Sequence, residues 1–329
     1  MLSLVIIVAF ALTFDFINGF HDTANAVAGS VSTRVLTPRK AVLMAAVLNF
    51  VGASVSTRVA ATIGKGIVDP KLINAEVLIG ALAAAITWNL LTWYYGLPSS
   101  SSHALIGGIV GSVAAKNGFA ALNVHGLVKK IVLPLFISPI IGFAVGFVLM
   151  IILIWIVRKV SPRQVTKSFS RMQIFSAAFI AFSNGSNDAQ KSMGIITLAL
   201  LSAGYLKDFS VPFWVIAACA TAMAVGTSLG GWRIIKTMGS RIMRLEPIYG
   251  FASDTASSLV IVGASFLGAP VSTTHVVSSA IMGVGSTKRL TAVRWGVALN
   301  IVSAWVMTAP ISAMLGAVFY LLASFIISS

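Results

Sequence analysis

The fold of this chain can be argued from a stretch that occurs twice, as NGFHDTANAVA at residues 18–28 and as NGSNDAQKSMG at residues 184–194. Both copies begin Asn-Gly-x-x-Asp, and both lie inside strongly apolar sequence. Their aspartates, Asp22 and Asp188, are separated by half of the chain. A carboxylate at the centre of a membrane helix costs roughly 2.5–3.5 kcal/mol. The duplicated motif therefore predicts a binding site at the interface of two repeats.

The composition indicates a polytopic membrane protein. Hydrophobic residues make up 57% of the 329 residues, charged residues 9%, and the mean hydropathy is +0.96. A soluble protein carries roughly 25% charged residues. The net charge is +15, and the Lys and Arg residues cluster between the apolar runs, where they orient the protein and contact anionic lipid. We therefore expect an all-α fold in the lipid bilayer and no nucleic-acid partner.

A second motif is also duplicated. Residues 96–103 read GLPSSSSH, and residues 268–275 read GAPVSTTH. The two motifs recur at a near-constant offset of about 170 residues, which indicates an internal duplication. Loops at corresponding places in the two halves differ in their number of basic residues, and the direction of this difference reverses from one loop to the next. This pattern favours an inverted membrane orientation of the second half. We predict a first inverted repeat at residues 1–157, a basic cytoplasmic linker at 158–171 and a second inverted repeat at 172–329.

We expect about 10–12 membrane segments, with both termini outside the cytoplasm. The motifs should interrupt their helices at Asn18–Asp22 and Asn184–Asp188, since glycine permits a break and irregular backbone at membrane depth can line a cavity. The apolar piece at residues 104–115 is too short to span a bilayer, which favours a re-entrant half-helix.

The hydroxyl clusters are candidates for binding an oxyanion. Pro98 and Pro270 should occupy the first turn of each short helix, where several hydroxyls and free N–H groups can surround a tetrahedral anion. Helix capping is the competing interpretation, but a cap needs only one hydroxyl. An ionised aspartate beside an anion needs a donor, a proton or a cation. Hydrogen phosphate can donate its O–H to a carboxylate, whereas sulfate at neutral pH cannot.

Oxygen-bearing side chains of both motifs are candidate ligands of a sodium ion. They are Asn18, Asp22, Ser101, Asn184, Asp188 and Thr273. Lys191 is a possible partner for Asp188 or for the anion. His103 and His275 could relay protons, although hydrogen bonds to nearby backbone or hydroxyl groups are the favoured interpretation. His21 has no counterpart in the second copy and receives little weight. The sequence contains no Cys/His spacing typical of a transition-metal site, and it contains no P-loop, Gly-x-Ser-x-Gly or His-Glu-x-x-His motif of an enzyme.

Taken together, the doubled Gly-x-x-Asp motif and the doubled Gly-x-Pro-x-hydroxyl-His motif resemble the inorganic phosphate transporter (PiT) family. The resemblance implies an inverted-repeat fold, inorganic phosphate as substrate, sodium or proton coupling, and a homodimer. The phosphate ligands that it implies are Asp22, Asn25, Ser100, Ser101, Ser102, Asp188, Gln190, Ser272, Thr273 and Thr274. Family motifs usually read GANDVAN, and this chain departs from that pattern at His21 and at Gln190-Lys191, so the two halves should not contribute alike.

The resulting hypothesis is a secondary active transporter in the cell membrane. It would import phosphate by symport with a cation, sodium being favoured, through alternating access and without a cofactor. Coupling to protons or transport of a metal–phosphate complex stays open, as does another oxyanion such as sulfate. An anion channel is disfavoured, because paired intramembrane aspartates do not suit an anion pore.

Overall fold

The computed structural model describes residues 2–66, 73–122 and 124–328, and this part of the chain is helical and contains no β-strand. The predicted all-α class is confirmed. The helices are α1 (Leu2–Ser32), α2 (Pro38–Ala53), α3 (Arg58–Gly66), α4 (Ala75–Tyr95), α5 (Ser101–Asn117), α6 (Val124–Leu127), α7 (Leu133–Val157), α8 (Pro162–Ser202), α9 (Phe213–Leu229), α10 (Trp232–Lys236), α11 (Pro247–Phe266), α12 (Thr273–Lys288) and α13 (Trp295–Ser328).

Two pairs of consecutive helices bend sharply. The axis turns by 68° between α2 and α3 and by 61° between α9 and α10. Within the described ranges, four helices are long and apolar enough to cross a membrane, and six spans result if each bent pair counts as one. Interrupted helices are therefore present, and each half of the chain contains one, formed by its second and third helices.

The duplicated Asn-Gly motifs do not interrupt their helices, and that prediction was wrong. Helix α1 runs unbroken through Asn18–Asp22, and α8 runs unbroken through Asn184–Asp188. The glycines serve close helix packing instead. A Cβ atom on Gly19 would overlap the backbone of α9, and one on Gly185 would overlap the backbone of α2.

Replacing Gly185 with alanine should therefore destabilise the fold. Overpacking of a tight interior costs about 1–3 kcal/mol, so we expect a lower thermal unfolding temperature for Gly185→Ala in detergent. Gly263→Ala is the matched control, because its added methyl group meets nothing within 4 Å. The control should be neutral or slightly stabilising, since alanine is the better helix former. Equal behaviour of the two variants would contradict the packing role of Gly185.

The predicted linker at residues 158–171 is largely the beginning of a helix. Helix α8 starts at Pro162, since proline suits the first helical position, and it continues for 41 residues. At 1.5 Å per residue this helix is about 60 Å long, twice the hydrocarbon thickness of a bilayer. Its basic first turns are therefore expected to extend beyond the membrane core.

Helices of one half of the chain pack on helices of the other half, and the pairs correspond. Helix α1 packs on α9 while α8 packs on α2, and α5 packs on α13 while α12 packs on α7. The beginning of α1 and the end of α8 line one cavity, through Ser3 and Ile7 on α1 and Ser202 on α8. These two motif helices are therefore antiparallel, and they lie side by side along α1, from Asp15, which contacts Ser192, to Thr33, which contacts Gln173.

Two short helices start beside the motifs of this antiparallel pair. Helix α5 has 17 residues and α12 has 16, fewer than a perpendicular span requires. Ser100 accepts a hydrogen bond from the His103 N–H at 3.2 Å, and Ser272 accepts one from the His275 N–H at 3.3 Å. Because these serines are the N-caps, Pro98 and Pro270 lie before the helices, which corrects the prediction that they occupy the first turns.

Candidate functional site

The antiparallel helices α1 and α8, together with the starts of α5 and α12, gather seven polar side chains in the interior. None of them is more than 3% exposed. We call this set the polar ring; its members are Asp22, Asn25, Ser101, Asp188, Lys191, Thr273 and Thr274. All seven belong to the side chains that the sequence predicted as ligands or charge partners.

One half of the polar ring is built on Asp22. Its Oδ1 atom accepts a hydrogen bond from the Thr274 hydroxyl at 3.1 Å, and its Oδ2 atom accepts one from Ser101 at 3.4 Å. One turn along α1, the Asn25 amide donates to Thr274 at 3.0 Å and to Thr273 at 3.4 Å. Helix α1 is thus connected to the first turns of both half-helices.

The other half of the polar ring is built on Asp188. The ammonium group of Lys191 lies 2.5 Å from Asp188 Oδ1, and both side chains are fully buried. Asp188 Oδ2 accepts a hydrogen bond from Thr273 at 3.0 Å. Lys191 also donates to Ser101 at 3.4 Å, which closes the ring back to the hydroxyl that contacts Asp22.

The polar ring is chemically suited to both an anion and a cation. Its hydroxyls, the ammonium group and the first N–H groups of α5 and α12 are donors for an anion, and the helix dipoles favour negative charge there. The carboxylates of Asp22 and Asp188 are acceptors. With two carboxylates and one ammonium group, the ring carries one excess negative charge when these groups are ionised. An anion that binds here therefore requires added positive charge.

His21 belongs to the site, although the sequence pattern gave it little weight. Its Nδ1 atom lies 2.9 Å from Asp22 Oδ1, and its Nε2 atom lies 3.3 Å from the Thr92 hydroxyl and 3.4 Å from that of Ser99. The absence of a counterpart in the second motif was misleading, because the two motifs are not chemically equivalent. Its position next to Asp22 was the signal that could have identified it.

Three other side chains of the implied phosphate set point elsewhere. Ser100 and Ser272 cap their helices, so the capping interpretation holds for one hydroxyl in each cluster. The Ser102 hydroxyl donates to the carbonyl of Val271 at 3.0 Å. These groups support the two half-helix starts and leave Ser101, Thr273 and Thr274 to the polar ring.

Gln190 also lies outside the polar ring. Its carbonyl oxygen accepts hydrogen bonds from the N–H groups of Val59 at 2.8 Å and Ala60 at 3.2 Å, at the start of α3. Its amide nitrogen donates to the carbonyl of Ser186 at 2.5 Å. Because both ends of this amide are occupied, the side chain serves to hold the bent α2–α3 pair against α8.

Asn18 and Asn184 are a matched pair with unused hydrogen-bonding capacity. Each lies one turn before its aspartate, each is at most 1% exposed, and neither amide has a partner among the described residues. An unpaired buried amide is costly, so a ligand is expected to contact it. Their carbonyl oxygens suit a hard cation. The described residues contain no group of three or more His, Cys, Asp or Glu side chains that could hold a metal ion.

His103 and His275 stack on each other, with ring centroids 4.8 Å apart, and His275 also stacks on Trp305 at 4.0 Å. The favoured prediction of hydrogen bonds to nearby groups does not hold for His103 Nδ1 or His275 Nε2, which have no partner among the described residues. The two half-helix starts face each other, and matched positions therefore meet ring against ring. The stacked imidazoles thus join α5 to α12 beside the polar ring.

Comparisons with known proteins give one consistent answer. The chain matches the model of the phosphate transporter family over residues 18–316. It is 52% identical to a Bacillus subtilis protein and 48% identical to a Rhizobium meliloti protein, both named "Probable low-affinity inorganic phosphate transporter", and each match covers 98% of this chain and 97% of the relative. A solved structure named "The sodium-dependent phosphate transporter" superposes with a TM-score of 0.90 at 27% identity, covering 99% of this chain and 100% of the other. The chain belongs to the phosphate transporter family.

Proposed function

We propose that this protein imports inorganic phosphate together with a cation by alternating access, with sodium as the favoured coupling ion. The observation that carries the proposal is the polar ring, in which buried donors and buried carboxylates from both repeats meet at one place. The names of the relatives agree with phosphate as the substrate, and the name of the structural neighbour agrees with sodium.

Phosphate would enter by replacing hydrogen bonds inside the ring. The hydroxyls of Ser101, Thr273 and Thr274 and the ammonium group of Lys191 would donate to its oxygens. A carboxylate oxygen of Asp22 or Asp188 would accept the proton of the phosphate O–H group. Sulfate has no such proton at neutral pH, and its oxygens would face an unpaired carboxylate of like charge.

The negative charge of the site explains why a cation would bind together with phosphate. A phosphate anion adds negative charge to a buried ring that is already negative, and uncompensated charge in a low dielectric is strongly unfavourable. The carbonyl oxygens of Asn18 and Asn184 have no partner among the described residues and lie one turn from Asp22 and Asp188. These oxygens, together with ring hydroxyls, would surround the cation. Each ligand should then raise the affinity for the other by the same factor.

Several features support two inverted repeats with both termini on one side. Helices α1 and α8 are antiparallel, as inversion requires. Ser3 lies in a cavity with Asn74 at the start of α4, and Tyr320 near the end of α13 packs against Gly80 on the same helix. Location in the cell membrane, termini outside the cytoplasm and the homodimer stay predictions.

Calorimetric titration of the purified protein with phosphate tests the proposal. The control contains potassium in place of sodium at equal ionic strength. We expect phosphate to bind roughly 5–150-fold more tightly in sodium than in potassium, the usual range of coupling between two sites. Sulfate should compete poorly. Equal phosphate affinities in the two salts would remove sodium from the mechanism, and strong competition by sulfate would remove the role of the phosphate proton.

One contact favours protons as the alternative coupling ion. The imidazole of His21 touches Asp22 at 2.9 Å, and histidine is the side chain best suited to proton exchange near neutral pH. If protons drive uptake, His21→Gln should abolish the pH dependence of uptake while phosphate binding persists. An unchanged pH profile in this variant would exclude His21 as the proton site.

A further inference from the structure

Three arginines from three separate segments converge on one cleft at the end of α1. Arg34 follows α1, Arg244 precedes α11 and Arg294 precedes α13. The cleft has a volume of about 640 Å³, within the usual range for ligand sites. A basic surface that only orients a membrane protein does not require its charges to surround a shared cavity.

The guanidinium groups of this cleft are available to a ligand. Within the described ranges, the side chains of Arg34 and Arg244 make no hydrogen bond or ion pair, and Arg294 makes one long contact with the Ser240 carbonyl at 3.5 Å. The one acidic side chain in the lining, Glu246, is paired with Lys288 at 3.2 Å. The cleft therefore presents an excess of unneutralised positive charge.

The backbone at Arg34 supports a ligand role for its side chain. Arg34 has a φ of +59°, and it is the one non-glycine residue with positive φ in the described part of the chain. Glycine is the usual residue at this position after a helix, because a Cβ atom makes the left-handed conformation costly. Backbone strain of this kind tends to be kept where a side chain is needed.

We propose that the cleft formed by Arg34, Arg244 and Arg294 binds a phosphoryl oxyanion, separately from the polar ring. The planar guanidinium fork matches the oxygens of a phosphate group better than any other basic side chain. The cleft reaches Ser32, which lies two helical turns from Asn25, or about 10 Å along α1. Free phosphate would thus be held close to the polar ring, while the headgroup of an anionic lipid would offer the same oxygens.

Arg34→Gly is the decisive variant. It removes the guanidinium group, and it also relieves the backbone strain of the positive φ at this position. It should fold at least as well as the parent protein, which thermal unfolding in detergent will verify. Arg244→Gln is the second variant. Arg241→Gln is the matched control, since Arg241 is a neighbouring exposed arginine that does not line the cleft.

Two measurements on the full chain distinguish free phosphate from lipid. In the first, inorganic phosphate is titrated into the double variant Asp188→Asn with Lys191→Met, whose polar ring has lost its ammonium donor and keeps the negative charge of Asp22. The remaining salt-sensitive binding should weaken roughly tenfold or more when Arg34→Gly is added. In the second, the amount of phosphatidylglycerol that stays bound after purification is measured by native mass spectrometry, and Arg34→Gly should retain less. A loss in either measurement supports the cleft and identifies its occupant.

Unchanged binding of both phosphate and phosphatidylglycerol in Arg34→Gly and Arg244→Gln, relative to Arg241→Gln, would overturn the inference. The assignment of free phosphate as occupant rests on the proposed function, whereas the binding measurements need no transport. A protein that binds phosphate in the cleft but transports none would contradict the proposed function alone.

Discussion

Asp22→Asn should abolish phosphate uptake while leaving the protein folded. The carboxylate of Asp22 accepts hydrogen bonds from Thr274 and Ser101 and contacts His21. The variant replaces one acceptor oxygen with a donor and removes a charge that the cation needs. A charge-assisted hydrogen bond contributes roughly 1.5–3 kcal/mol. The loss of one such bond, together with a loss of similar size in the attraction of the carboxylate for the cation, predicts uptake at or below about 1% of the parent rate.

The measurement is the initial rate of labelled phosphate uptake into proteoliposomes that contain equal amounts of protein. Asp208→Asn is the matched control, since it makes the same chemical change in an exposed loop between α8 and α9. Thermal unfolding should show both variants to be folded. Uptake by Asp22→Asn at the rate of the control would remove this carboxylate from the mechanism.

Lys191→Met should destabilise the protein strongly. Lys191 is 1% exposed, Asp188 is fully buried, and they pair at 2.5 Å. Removing one partner leaves an uncompensated buried charge, which costs about 3–5 kcal/mol. The double variant Asp188→Asn with Lys191→Met removes both charges and should recover much of that stability. It should still fail to transport phosphate, because the polar ring has lost a donor and an acceptor.

Thermal unfolding in detergent compares these variants directly. Lys288→Met is the control, because it breaks the pair between Lys288 and Glu246, whose side chains are about half exposed. Exposed pairs contribute roughly 0–1 kcal/mol, so this change should be nearly silent. A double variant no more stable than Lys191→Met would show that the buried pair is not what makes Lys191 important.

Duplication is the feature of the sequence that predicted most of the site. The same polar residues at matching places in two apolar halves identified Asp22, Asp188 and the hydroxyl clusters, and the structure joins them through Ser101, Thr273 and Thr274. The reason is physical, because polar groups in an apolar segment must find one another or a ligand.

Backbone geometry was the part that the sequence did not predict correctly. Glycine is compatible with a broken helix and also with two helices in close contact, and sequence alone does not distinguish the two. At Gly19 and Gly185 it serves contact, as the neighbouring backbones show. The breaks lie instead between α2 and α3 and between α9 and α10.

The direction in which a side chain points could not be predicted from the sequence either. Gln190 lies inside the second motif, yet its amide turns to the start of α3. His21 has no counterpart in the second motif, yet its imidazole reaches Thr92 on α4 and Ser99 before α5. Both outcomes depend on which helix packs against which face. That information comes from long-range packing and not from the spacing of residues along the chain.

Uptake of labelled phosphate into proteoliposomes, with either a sodium gradient or a pH gradient imposed, is the most direct test of cation-coupled phosphate transport by this protein. We predict accumulation above equilibrium when sodium is higher outside, with no accumulation when potassium replaces sodium. Accumulation driven by the pH gradient alone would replace sodium with the proton and direct attention to His21. Folded protein that accumulates no phosphate under either gradient would contradict the proposed function.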